Sequence, residues 1–189
     1  MKTINNRLDE LTKKISSPTF LETNGLGNEV NFYIFDYDPE DEYIVREYIE
    51  MIKSKKNICI KDFNIYDIIL EKLEEEGFLE QTFELEKQKG TEFINETIVE
   101  ALEFGSANDQ IINYFNNKID KNDIVFITGI GQVFSIIRTH TLLSNLKKVM
   151  KNNPLILFYP GNFAGTSSSL FNKLKSEDYY RAFQIVGRR

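Results

Sequence analysis

Tryptophan is absent from the 189 residues, and cysteine and histidine occur once each, as Cys59 and His140. A single cysteine cannot close an intramolecular disulfide, so the expected home is a reducing cytoplasm. A single histidine cannot build a multi-histidine metal site. Positive charge is in deficit, with 23 Lys and Arg against 29 Asp and Glu and a net charge of −6. That balance argues against sequence-independent binding of DNA or RNA, which needs a positive surface. No apolar run approaches the length of a bilayer span, and the opening MKTINNRLDEL has no apolar signal core. No membrane association and no cofactor are expected.

Aromatic residues are plentiful, with fifteen Phe and nine Tyr, and 41% of the chain is apolar. This is enough for the core of one domain spanning 1–189. Ile4, Leu8, Leu11 and Ile15 fall at helical spacing. A first strand is predicted over Val30–Phe35. Asp38-Pro39 then reads as an N-cap and first helical position, opening a helix to about Lys55. Asn57–Phe63 is a second strand, and Asn64 caps the helix after it. Residues 78–119 read as a helical insert broken at Gly90 and Gly105, with Ser106 as the cap of Ala107–Ile119. Ile124–Thr128 and Leu155–Phe158 are apolar strands. A helix is predicted over Gln132–Lys151, another over Ser167–Leu174, and a last strand over Ala182–Val186. The alternation predicts an α/β, three-layer, Rossmann-like sandwich with about five mostly parallel strands and helices on both faces.

Two segments, IVFITGIG at 124–131 and PLILFYPGNFAG at 154–165, run from apolar strands into glycine loops. Neither completes a phosphate motif. Gly161–Ser167 is one residue short of a P-loop and has no lysine. Gly129-Ile130-Gly131 has Phe134 where a dinucleotide fold has its third glycine, and no acid ends the next strand. The glycines therefore read as sharp strand-to-helix turns. Asp36 is the one acid in Asp36–Glu42 without a local capping job, and it sits at the carboxyl end of the first strand. Cys59 reads as an inert core thiol. His140 reads as a structural histidine or a partner contact. Tyr179-Tyr180-Arg181 combines residue types enriched in interface anchors.

Four stretches, GLGNEVNFYIFDYDPEDE (25–42), TGIGQVFSIIRTHTLLSNL (128–146), FYPGNFAGTSSSLFNKL (158–174) and DYYRAF (178–183), resemble the BrxB family of BREX (bacteriophage exclusion) systems. The resemblance frames almost the full chain; Gly187-Arg188-Arg189 falls outside its pattern. It implies an accessory subunit of an anti-phage defence complex with no established catalytic motif, and a PglZ-type protein of the same system as partner. The reading is a non-enzymatic adaptor with no catalytic or metal residues. Arg138, His140, Tyr179, Tyr180 and Arg181 are its candidate partner contacts. The alternative is a degenerate nucleotide-binding or cryptic enzymatic domain that uses the glycine loops.

Overall fold

A computed structural model describes residues 2–22, 31–150, 153–165, 167–176 and 182–189. Its centre is a sheet built on β1 (Phe32–Tyr37), β2 (Ile60–Asn64), β3 (Ile124–Thr128), β4 (Leu155–Phe163) and β7 (Phe183–Gln184). The strand order is β2-β3-β4-β1-β7, and every pairing along it is parallel. The protein is thus an α/β sandwich of the Rossmann-like kind, with about five parallel strands covered on both faces.

The apolar strands explain the layering. Side chains alternate along a strand, so a parallel strand covered on both faces is apolar at every position. In β3, Val125 and Ile127 enter one core, whereas Ile124 and Phe126 enter the other. β4 divides the same way, with Leu155 and Leu157 opposite Ile156 and Phe158. One core is closed by α1 (Ile4–Ile15) and α3 (Glu42–Lys53). Its centre is aromatic: Phe158 lies 5.7 Å from Phe35 and 5.0 Å from Phe126, ring centre to ring centre. The other core is closed by α4 (Ile65–Glu75), α6 (Thr91–Ala101), α7 (Gln110–Lys118) and α9 (Thr139–Leu146). α5 (Leu79–Lys89) joins α4 to α6, and Gly90 separates α5 from α6.

Several predicted elements take another form. Ser167–Leu174 is not a helix: β5 (Ser168–Leu170) and β6 (Leu174–Ser176) form an antiparallel hairpin. β4 runs on through Pro160 and Gly161, and its last three residues pair with β5. Gln132–Lys151 is not one helix. A single turn, α8 (Ile130–Val133), is followed by a break, and α9 starts afresh with Arg138 in extended conformation before it. β1 extends to Tyr37 rather than Phe35, and the last strand is reduced to β7. Cys59 is exposed and precedes β2, so it is not a core thiol. α7 is capped by Asp109, whose side chain accepts from the Ile112 N–H at 3.0 Å; Ser106 accepts instead from the Asn108 N–H. Residues 25–29, Val30 and Lys151 lie outside the described residues.

Candidate functional site at the carboxyl edge of the sheet

Open parallel sheets bind ligands beyond the carboxyl ends of their strands, where successive connections leave for opposite faces. Here that point lies around β4. The chain leaves β1 toward α3 on one face and leaves β3 toward α8 and α9 on the other. Two arrangements occupy this edge.

The first is built on Asp36, which is 0% exposed. Its Oδ1 accepts from Gln184 Nε2 at 2.7 Å and from Arg7 Nη2 at 3.1 Å. Its Oδ2 accepts from Arg188 Nε at 2.7 Å and, more weakly, from the Phe163 N–H at 3.4 Å. Arg188 spreads its remaining donors over Asp38 Oδ1 (2.8 Å) and the Gly161 carbonyl (2.5 Å). Asp38 also accepts from Asn172. Arg7 reaches in from α1, donates to the Val186 carbonyl at 2.9 Å and lies 4.7 Å over the Phe35 ring. Two carboxylates and two guanidiniums therefore join α1, β1, β4 and the C-terminal segment.

The electrostatics follow from the burial. Burial pulls the Arg7 pKa below the ordinary arginine value against the attraction of Asp36, and the Arg188 charge adds to the lowering. Burial opposes the Arg188 charge too, but its bonds to Asp38 and Asp36 prevail and its pKa is raised. The hydrogen bond from Arg188 holds the Asp38 carboxyl below its usual value despite partial burial. Asp38 occupies the cap position before the Pro39–Asp41 turn, yet its side chain makes no capping bond. Its oxygen is engaged with Arg188.

The second arrangement is a crevice of about 230 Å³ between the ends of β1 and β3. Tyr37, Glu42 and Arg46 line one side, Gly129 to Gln132 the other, with Pro160 and Phe171 also contributing. Glu42 accepts from Tyr37 Oη at 2.6 Å and from Arg46 Nε at 2.7 Å. Burial and the bond to Glu42 push the Tyr37 phenol well above its ordinary pKa. The glycines have packing reasons. Gly129 is left-handed (φ +76°), and a Cβ there would overlap the Asn64 side chain. A Cβ on Gly131 would meet the Phe171 ring at 2.6 Å. Among the described residues, no cluster of three or more His, Cys, Asp or Glu side chains is placed to hold a metal ion.

The predicted contact residues are only partly in view. Arg138 is exposed at the start of α9, with its guanidinium 4.4 Å over the Phe134 ring. His140 is half-buried on the first turn of the same helix. Tyr179, Tyr180 and Arg181 lie outside the described residues. Sequence reasoning missed Arg7, Gln184 and Arg188. The available signal was Asp36 itself, since a carboxylate on a buried strand needs a cation.

Sheet order and two-sided cover define a Rossmann-like α/β protein with a helical insert between its second and third strands. The family model for BREX protein BrxB matches residues 61–185. The chain is 45% identical over 192 aligned positions to a BREX protein BrxB of Bacillus cereus (strain H3081.97), with all of both chains covered. It is 35% identical over 188 positions to a BREX protein BrxB of Escherichia coli O9:H4 (strain HS), covering 95% of this chain and 90% of that one. No solved structure matches. The chain belongs to the BrxB family and is a component of a BREX anti-phage defence system. No helix among the described residues is long and apolar enough to cross a membrane.

Proposed function

We propose that this BREX component is a non-enzymatic adaptor that binds the PglZ-type protein of its own system. The observation that carries the reading is the state of Asp36. Both of its oxygens are engaged by protein donors, two of them guanidinium groups, at the position where α/β enzymes place reactive carboxylates. A carboxylate so engaged is a structural counter-ion. Arg138 is exposed; Arg138, His140, Tyr179, Tyr180 and Arg181 are the residues proposed for partner contact.

Co-expression of tagged protein with PglZ tests the reading. The adaptor predicts that PglZ stays with the tagged chain through salt washes, and loss of PglZ under gentle conditions overturns it. The crevice between Tyr37 and Gly129 favours a second reading, a nucleotide sensor. Millimolar ATP, GTP or NAD, with and without magnesium, must then raise the melting temperature, because a ligand bound only by the native state stabilises it. An unchanged melting temperature removes that reading.

A further inference from the structure

The charge of this chain is concentrated in one place. Residues 71–103 hold eleven glutamates and three lysines, a net of −8, whereas the whole chain carries −6. Everything outside this segment is therefore net +2. The segment covers the end of α4, all of α5 and α6, and the turn after α6. Its lysines neutralise little: Lys72 pairs with Glu75 and Lys87 with Glu84, while Lys89 sits over the Phe93 ring at 4.4 Å. Among the described residues, Glu80, Glu92, Glu96 and Glu100 have no ion-pair partner.

The same segment exposes aromatic surface. Phe78, Phe83 and Phe93 are 40%, 48% and 39% exposed. α5 is loosely seated, since Thr82 is its buried side chain and Leu79 and Leu85 are half-buried. A shallow groove beside Leu85 is bounded by Glu80, Gln81, Glu84 and Gln88. Solvated helices present charge; exposed phenylalanines among unpaired glutamates have the composition of an interface, with apolar anchors and a charged rim.

We infer that the outer face of α5 and α6 is a docking surface for a basic protein segment, one that presents apolar side chains flanked by lysine or arginine. Charge selects this occupant. Nucleic acid and anionic lipid are repelled by the −8 field, and a second copy meeting this face with its own would oppose −8 to −8. A cationic amphipathic helix matches both features: its apolar stripe meets the phenylalanines and its cations meet the glutamates. This inference goes beyond the adaptor reading, because it holds whichever protein presents the segment.

The test uses the full chain and a fluorescent helical peptide of leucine and lysine, about twenty residues long. Anisotropy is read at low salt for the wild type and three variants. Phe78→Ser with Phe83→Ser and Phe93→Ser should weaken binding about tenfold or more. Glu92→Gln with Glu96→Gln should weaken it about fivefold, and the effect should fade between about 50 and 300 mM salt. Glu47→Gln with Glu50→Gln removes two exposed charges from α3, on the other side of the sheet, and should change affinity less than about twofold. Thermal unfolding of each variant checks its fold. Should the phenylalanine variant unfold, the two charge variants still decide. Absence of wild-type binding overturns the inference, as does equal weakening by the α3 pair or unchanged affinity in the α6 pair. PglZ retention is scored separately, so the adaptor reading and this surface stand or fall independently.

Discussion

Asp36→Asn is the sharpest perturbation of the carboxyl edge, because it keeps the shape of the side chain and removes the charge on which two guanidiniums converge. Asp36 has no exposure, and the Arg7 side chain is 4% exposed. Breaking a buried ion pair from one side leaves an uncompensated charge and costs about 3–5 kcal/mol. Arg188→Ala should cost less, about 1.5–3 kcal/mol, because Arg7 still pairs with Asp36 and the 21% exposure of Arg188 lets solvent screen its bonds. Arg7→Met removes the other cation and keeps an unbranched chain against Phe35. Combined with Asp36→Asn it should be at least about 1 kcal/mol less damaging than the sum of the two single changes, because neither charge is then stranded. Urea unfolding followed by circular dichroism measures all four, and an unchanged slope keeps the comparison valid. A loss below about 1 kcal/mol for Asp36→Asn, or strict additivity in the cycle, would refute the buried cluster.

The glycines and the tyrosines give two further tests. A Cβ on Gly161 would overlap the Ser169 carbonyl and crowd the Leu170 and Phe171 backbone, whereas one on Gly131 meets the far end of a partly exposed Phe171 ring that can swing aside. Gly161→Ala should therefore lose about 3 kcal/mol or more and Gly131→Ala about 1 kcal/mol, read as urea midpoints, and the reverse order would contradict the hairpin packing. Burial pushes the Tyr48 phenol up to about 12, against the hydrogen bond with Thr12. Its native pKa lies above its unfolded value near 10, so its contribution is complete below about pH 10 and is lost toward about pH 12, at about 1.4 kcal/mol per pH unit. Tyr37 shifts in the same direction. Tyr48→Phe should shallow the alkaline fall in the urea midpoint, and an unchanged pH profile would contradict the burial.

What was legible in the chain was the part that local pattern dictates. β3 and β4 announce themselves because parallel strands covered on both faces are apolar at every position. The helical insert is legible from its 3.6-residue periodicity. The β5–β6 hairpin was not, because Ser168–Leu170 and Leu174–Ser176 are too short to show alternation, and their pairing with the extension of β4 is a tertiary fact. The break between α8 and α9 carries no proline or glycine; Arg138 turns extended there with Ile137 buried in the core. The ion cluster was hidden by distance. Arg7 lies 29 residues before Asp36 and Arg188 lies 152 after it, so no local spacing links them.

These two kinds of surface divide the protein by how its charges are satisfied. At the carboxyl edge, Asp36 and Asp38 are balanced by Arg7 and Arg188, and a ligand seeking Asp36 must first displace a guanidinium that also holds Asp38 and the Gly161 carbonyl. Removing Arg188 alone would loosen the joint between the C-terminal segment and β4, so binding there is coupled to undoing the fold. Along α5 and α6 the relation is inverted. Among the described residues Glu80, Glu92, Glu96 and Glu100 have no ion-pair partner and Phe78, Phe83 and Phe93 are exposed, so a cationic partner neutralises these glutamates without breaking an ion pair. A chain that satisfies charge at Asp36, where α/β enzymes place reactive carboxylates, and leaves it unsatisfied on a helical insert has the electrostatic free energy of that insert available for association.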